Sequence, residues 1–227
     1  MEQMLLGQML QDLRAETRVS TDGAHGAHLD VRNITLLRRI QKELYAAWDW
    51  PFLMINAVIP VIAGARYVSL VGTNLDLGGL RKVYVRPGGV AQKWSQLTQG
   101  IGTEQLMAVD SDAGETRDCP LRYDRYMAPE NELATDDHIE LWPVPTGAVT
   151  LRVNGLRSLN PLVDPALHSS TLDGTLLVLF AAAEILAAQK ADDAPVKLQR
   201  AQARLDMLKR RQSASDNSKV IKGFGRT

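Results

Sequence analysis

The chain has 227 residues, of which 45% are hydrophobic and 23% are charged, and its 26 Lys and Arg balance its 26 Asp and Glu. A neutral chain lacks the basic excess that marks a dedicated nucleic-acid-binding protein. The single cysteine, Cys119, excludes a disulfide within the chain and argues against a cysteine-based zinc site. The amino terminus lacks the basic start of a secretion signal, and no segment reaches transmembrane length, so we expect a soluble, intracellular protein.

The N-terminal part of the sequence predicts two helices. Residues 3–17 carry apolar side chains at helical spacing, and residues 30–48 carry an apolar stripe opposite a charged face. Residues 20–27 between them are small, polar and Gly-rich, which indicates a loop. We therefore expect an antiparallel helical hairpin that ends before Pro51.

The centre of the chain predicts strands. The segments with strand character are residues 52–61, 66–71, 80–86, 121–127, 138–142 and 149–156. The last two alternate apolar and polar residues on either side of a Pro/Gly turn, and this pattern predicts that they form a hairpin. A short helix is also predicted near residues 103–109. Six short strands are enough for a small sandwich or barrel.

The most apolar run in the sequence is residues 172–188. A helix that is apolar on nearly all sides must be buried on nearly all sides, so this run predicts a central core helix with Thr171 or Asp173 as its N-cap. Residues 194–209 predict an amphipathic helix with Pro195 in its first turn. The two helices would form a second hairpin.

Beyond Arg210 the sequence is polar and rich in small residues, which predicts a flexible C-terminal tail over residues 213–227. Three apolar residues interrupt this tail beside three basic ones. This composition is typical of a segment that folds on a partner. The residues concerned are Lys219, Val220, Ile221, Lys222, Phe224 and Arg226.

Few side chains suggest chemistry. His25 and His28 lie in or near the Gly-rich loop, but only Asp22 and Asp30 accompany them, so we favour no metal site. Capping and solvation explain the paired acids at residues 136–137 and 192–193 better than catalysis does. Nucleotide-binding and hydrolase motifs are missing, and we expect neither an enzyme nor a cofactor. The four tryptophans are expected to pack between helices and sheet, although aromatic residues beside Arg and Lys also suit single-stranded nucleic acid.

Four segments follow one another in an order that is more specific than any one of them. They are ELYAAWDWPFL (43–53), GARYVSLV (64–71), HIELWPVPTGAVTLRVNGLRSLNPLVDP (138–165) and LDGTLLVLFAAAEILAAQK (172–190). In this order they resemble the head–tail adaptor, or connector, proteins of tailed bacteriophages. The resemblance extends to about Lys209, but residues 100–118 and the chain after Arg210 depart from it.

The resemblance implies an α+β fold that is mainly α. It would be a helical bundle, built from the N- and C-terminal helical hairpins, with a central β-rich insertion. The bundle would comprise residues 1–50 and 160–212, the insertion residues 51–159, and the flexible tail residues 213–227.

The resemblance also implies a structural, non-enzymatic role in the virion. Such adaptors form a homo-oligomeric ring, usually a dodecamer, beneath the portal protein. They extend the DNA channel at the head–tail junction and dock the next tail or stopper protein. The protein would be made in the cytoplasm of the bacterial host, bind no membrane and let genomic DNA pass without specific binding. The apolar and basic residues of the tail would contact the portal or a neighbouring subunit.

Two alternatives remain open from the sequence. One is a nucleic-acid-binding module that uses basic helix faces, with clusters at Arg38–Arg39 and Arg210–Arg211. The other is an enzyme whose site has no recognisable motif, which would need a polar pocket with several perturbed ionisable groups.

Overall fold

The computed structural model describes residues 3–18, 23–88, 93–107, 116–127 and 137–221. The chain divides into two compact units. The helical unit contains Met1–Phe52 and Leu159–Thr227, and the strand unit contains Leu53–Ser158. Among the described residues, no helix combines the length and the apolarity that crossing a membrane requires.

The described residues form five α-helices and ten strands. The helices are α1 (Leu6–Thr17), α2 (Gly23–Ala47), α3 (Thr103–Met107), α4 (Gly174–Ala188) and α5 (Ala194–Ile221). The strands are β1 (Met54–Val61), β2 (Tyr67–Ser69), β3 (Leu75–Pro87), β4 (Ser95–Gln96), β5 (Thr98–Gln99), β6 (Thr116–Arg117), β7 (Arg122–Met127), β8 (Asp137–Trp142), β9 (Val144–Pro145) and β10 (Val149–Arg157).

The predicted fold class, a mainly α helical bundle with a β-rich insertion, is wrong. Two four-stranded sheets and one two-stranded sheet account for a large share of the described residues, so strands are a principal part of the fold. A buried helix needs a long apolar run and is conspicuous in a sequence, whereas short, half-buried strands give a weaker signal. For example, β3 begins at Leu75, before the segment that the alternating pattern predicted.

The helix α4 lies at the centre of the helical unit. Leu176, Leu177, Ala181 and Ala182 on this helix are fully buried, and α4 packs against α1, α2 and α5. The alanines let the neighbouring helices approach closely. The prediction of a central core helix is confirmed, and its N-cap is Asp173, whose side chain accepts a hydrogen bond from the N–H of Leu176.

The start of the chain is bound to the segment that leads into α4. The N–H of Leu6 donates to the carbonyl of His168 at 2.8 Å, and Leu6 itself is fully buried. Gly174, the first residue of α4, lies directly against Met4, since a Cβ added there would be 2.6 Å from the Met4 Cβ. The first turn of α4 therefore needs glycine because of this close approach.

Two sheets of the strand unit share one core. The strand order is β1-β10-β3-β4 in the first sheet and β2-β8-β7-β5 in the second, while β6 and β9 pair in parallel. Val83 and Val153 from the first sheet and Ile139 and Leu141 from the second are fully buried in the same apolar cluster. The two sheets therefore pack face to face as two layers of a sandwich.

The predicted hairpin between residues 138–142 and 149–156 does not form. The strand β8 pairs with β2 and β7, whereas β10 pairs with β1 and β3, so the two strands belong to different sheets. Both strands point their apolar residues into the common core, which is the alternation that the sequence shows. Alternation identifies the buried face of a strand but does not identify its neighbour.

Candidate interaction surfaces

The tail residues predicted to bind a partner begin at the end of α5. Lys219, Val220 and Ile221 belong to the last turn of this helix by their backbone, whereas their side chains and the residues Lys222, Phe224 and Arg226 lie outside the described part of the chain. Residues 213–221 of the predicted tail thus continue α5. The backbone of α5 therefore locates the first three of these residues.

An ion pair between Asp173 and Arg204 joins α5 to the start of α4. The Asp173 side chain is fully buried, and Arg204 donates to it through Nη2 at 2.9 Å and through Nε at 3.2 Å. A guanidinium with two parallel hydrogen bonds matches the geometry of a carboxylate and is among the stronger polar contacts in proteins. Because Asp173 also caps α4, one carboxylate holds both helices in register.

The same contact shows how far α5 extends. Arg204 lies beside the first turn of α4, so the rest of α5 continues past the N-terminal end of α4. At 1.5 Å per residue, the helix from Arg204 to Ile221 is about 25 Å long. Leu208 is still buried, and Lys209 Nζ lies 4.6 Å from the ring centre of Trp48, just after α2. The predicted partner-binding residues follow this anchored stretch.

An open apolar groove runs between α2, α4 and α5, with a volume of about 540 Å³. Its apolar lining includes Ile40, Leu44, Phe180, Ala187 and Leu198, and Leu198 is 42% exposed. The adjacent Val196 is 48% exposed. Exposed apolar side chains grouped in a groove are typical of a surface that binds another protein.

The basic pair Arg38–Arg39 of α2 is already occupied. Arg38 Nη2 donates to the carbonyl of Leu162 at 2.8 Å, and Arg39 pairs with Glu184 on α4 and with Glu43 one turn along α2. The hydrogen bond that Arg39 donates to Glu184, with the negative charge of that carboxylate, raises the pKa of Arg39 above its usual value. Both guanidinium groups are thus engaged within the helical unit, Arg39 in ion pairs and Arg38 with a carbonyl oxygen, which argues against the alternative of a nucleic-acid module built on this helix face.

A second surface, which the sequence reasoning missed, lies on the outer side of the first sheet. We call it the cationic face, and its residues are Lys82, Tyr84, Arg86, Trp94 and Arg152. The guanidinium carbons of Arg86 and Arg152 lie 4.6 and 4.7 Å from the ring centre of Trp94. Trp94 was expected to pack between helices and sheet, and instead it lies against two cations. Basic and other polar residues alternate with apolar ones at positions 82, 84 and 86 and at 150, 152 and 154, which could have indicated an outward strand face. Only the pairing of β3 with β10 brings the two sets together.

His168 is held in a structural hydrogen bond, and the thiol of Cys119 has a raised pKa. Nδ1 of His168 accepts the N–H of Asp164 at 2.8 Å within a tight loop. Burial, with a further contribution from Asp118, raises the pKa of the Cys119 thiol, so little nucleophilic thiolate forms at neutral pH. Among the described residues, no three His, Cys, Asp or Glu side chains are grouped to hold a metal ion. The side chains of the two histidines considered for a metal clip lie outside the described part.

These surfaces define a protein of the interaction class, in which a helical unit presents an apolar groove and a strand unit presents a cationic face. The family model of the SU10 adaptor protein matches residues 4–221, so the chain belongs to the SU10 adaptor protein family of phage head–tail adaptors. Its role is that of a structural phage protein and a component of the virion, which interacts with other head or tail proteins. No curated protein matches the chain at a significant level.

Proposed function

We propose that the protein forms a ring beneath the portal at the head–tail junction, and we expect this ring to contain twelve subunits. The ring extends the DNA channel and docks the next tail or stopper protein. In this assembly the helical unit forms the wall, and the end of α5 with its tail binds the portal or the adjacent subunit. Genomic DNA passes through the lumen without specific binding, which agrees with a formal net charge of zero.

The observation that carries this proposal is the extension of α5. The Asp173–Arg204 pair and the buried Leu208 hold the first part of the helix against the unit, and the helix then continues to Ile221. A helix that continues past this anchored stretch supports a role for the basic and apolar residues at its end in contacting another subunit. Around a ring, the same weak contact is repeated once per subunit, so the total binding strength is high.

The groove between α2, α4 and α5 supports contact between neighbouring helical units. Its lining is mainly apolar, and Glu43 and Glu184 supply charge at its edge. A head-to-tail ring needs two different complementary surfaces on each subunit rather than one self-complementary patch. A helix of the next subunit that packs into this groove would bury Leu198 and Val196, which are among the exposed large apolar residues.

Deletion of residues 213–227 tests the role of the tail. We expect the truncated protein to keep the melting temperature of the full chain and to lose binding to purified portal, measured by cosedimentation. The triple variant Val220→Ser, Ile221→Ser and Phe224→Ser is expected to do the same, because it removes the apolar anchors and keeps the length.

One charge-changing control accompanies this deletion. Replacement of Lys190, an exposed residue between α4 and α5, by Glu changes a charge far along the chain from the tail and should leave portal binding intact. If the truncated protein binds portal like the full chain and completes infectious particles normally, the proposed role of the tail is wrong.

A nucleic-acid-binding function makes a different prediction. Purified protein would then shift duplex DNA on a gel at low salt, and the shift would weaken steeply as salt is added. We expect no shift, because Arg38 and Arg39 are held by partners within the helical unit.

A further inference from the structure

The strand β1 forms a free edge of the first sheet. In the order β1-β10-β3-β4 it pairs with β10 on one side, and no described strand pairs with it on the other. It is eight residues long, whereas the other terminal strands of the two four-stranded sheets, β2, β4 and β5, have three, two and two residues. β1 is therefore the longest terminal strand among those that the structure describes.

The hydrogen bonds of β10 show which of its residues face β1. Just past the end of β3, the N–H of Gly88 donates to the carbonyl of Ala148 at 2.8 Å, so the backbone groups of Ala148 point toward β3. Successive residues of an antiparallel strand direct their hydrogen bonds to opposite sides. The even-numbered residues of β10 from 150 to 154 therefore bond to β3, and the odd-numbered residues from 149 to 153 bond to β1.

The same alternation assigns the backbone groups of β1. Ala57 and Ile59 lie opposite odd-numbered residues of β10 and bond to them. The backbone groups of Asn56, Val58 and Pro60 therefore point to the free edge. Pro60 agrees with this assignment, because proline lacks an N–H and is tolerated in a strand where that side is free. Among the described residues of the strand unit, no backbone carbonyl accepts from the N–H of Asn56 or Val58.

β1 has few of the features that keep a sheet edge from pairing with another chain. Edge strands are commonly blocked by charged side chains, by bulges or by being short. The sequence of β1, MINAVIPV, contains no charged residue, and its ladder with β10 runs without a shift of register. By contrast, β3 carries Arg81 and Lys82, and its ladder with β10 does shift. Pro60 blocks only the end of β1, so most of this edge is open to pairing.

The apolar core of the strand unit is also less covered along this edge. Ile55 and Ala57 pack against the core but are only partly buried, whereas Val153, opposite Ala57 on β10, is fully buried. On the outer face of the sheet, Val58 is 56% exposed. A further strand beside β1 would cover the two inward residues with its own alternate side chains. The chain that fits this edge is therefore extended, with apolar residues at every second position.

We propose that β1 binds an extended segment of another head or tail protein, which adds a strand to the first sheet. The backbone of that segment bonds to Asn56 and Val58, which supplies affinity, and its apolar side chains cover Ile55 and Ala57, which supplies specificity. The inference rests on the proposed function, in which the portal and the next tail or stopper protein are the neighbours, and it assigns one of their contacts to the strand unit.

A second copy of this chain fits the edge less well. Neighbours in a head-to-tail ring are related by one rotation, whereas antiparallel pairing of β1 with β1 needs a two-fold axis. Such a pair would also place Pro60 of both copies in one ladder and lose a hydrogen bond at each. The other described terminal strands, β2, β4 and β5, are too short to cover β1. A segment of a different protein avoids each of these costs.

Hydrogen–deuterium exchange, read at single residues by fragmentation mass spectrometry, tests the edge directly. The protein is measured alone at low concentration, with purified portal, and with the purified next tail protein. We expect the amides of Asn56 and Val58 to exchange at least about tenfold more slowly in one of the two complexes, because an added strand bonds to them. The amides of Ala57 and Ile59 are the internal control, since β10 already protects them in the free protein.

Substitutions at Val58 test the same contact by binding. Val58→Pro removes one edge N–H and leaves the bonds to β10, so it should weaken binding of the protein that protects the edge at least about tenfold in cosedimentation. Val58→Thr is the matched control, because it keeps the N–H and the β-branched side chain, and it should bind like the wild type. Val58→Lys leaves the backbone intact and places a blocking charge on the edge. It should weaken binding even if Val58→Pro lowers the melting temperature.

The possible outcomes separate this inference from the proposed function. Slow exchange of Asn56 and Val58 in the dilute protein alone would show that the chain covers its own edge. Slow exchange that accompanies self-association, without portal or tail protein, would assign the edge to a second copy. Either result, or complexes in which both amides exchange as in the free protein, would overturn the inference and leave the proposed ring standing. A protein that binds neither portal nor the next tail protein would refute the inference and the proposed function together.

Discussion

Arg204→Met is expected to destabilise the helical unit by about 3 kcal/mol, because breaking a buried ion pair by removing one partner costs about 3–5 kcal/mol. Asp173 is fully buried, and loss of Arg204 deprives its carboxylate of a cation that donates two hydrogen bonds. We take the lower end of the range because the Arg204 side chain is 30% exposed, so water can partly replace it. Methionine keeps most of the length of the aliphatic stem, so the change reports chiefly on the charge.

Urea unfolding followed by far-UV circular dichroism measures this effect, since most helical residues lie in the helical unit. Arg200→Met, an exposed arginine one turn earlier on α5, is the control and should change stability by less than about 0.5 kcal/mol. Asp173→Asn keeps an N-cap acceptor, and its effect combined with Arg204→Met should fall short of the sum of the single effects by about 1 kcal/mol or more. Equal effects of Arg204→Met and Arg200→Met, or strict additivity in the cycle, would refute the reasoning.

Three further predictions concern single sites. Gly174→Ala should lower the free energy of unfolding by about 1–3 kcal/mol in the same urea assay, because its Cβ would lie 2.6 Å from the Met4 Cβ. Gly147→Ala is the control and should be nearly neutral, because a Cβ there meets nothing within 4 Å. Burial raises the pKa of the Cys119 thiol, so the rate of its alkylation should rise at a more alkaline pH than the rate for free cysteine does. Equal alkylation rates of Cys119 and free cysteine at neutral pH would contradict this. Ala182→Trp should overpack the fully buried side of α4 and lower subunit stability, and a wild-type melting temperature would show that this position is not internal.

The sequence predicted the helices of this protein better than its sheets. Residues 172–188 have almost no polar side chain, and such a run is stable only when buried, so the position and the environment of α4 followed directly. Asp173 stood where an N-cap is expected and has that role. By contrast, the pairing of β8 could not be inferred, because inward alternation is equally compatible with any neighbour that shares the core.

The candidate surfaces divide in the same way. The mixed basic and apolar composition of residues 219–226 was visible in the sequence and led to a proposed contact, which the end of α5 supports only by its position. The cationic face was invisible, because Lys82, Trp94 and Arg152 are far apart along the chain and meet only through the β3–β10 ladder and its continuation into β4.

The sequence by itself determined which segments must be buried, since apolar side chains at period 3.6 or period 2 gather on one face of a helix or strand, and that face must be shielded from water. It also carried the ordered segments that resemble phage adaptors, and the family match agrees with them. The tertiary structure alone decided that strands would be a principal part of the fold and that a groove opens between α2, α4 and α5. It also decided that Arg39 is ion-paired with Glu184 and that Arg38 donates to the carbonyl of Leu162. These features depend on contacts between residues far apart in the chain, and local periodicity does not encode which distant partner each surface meets.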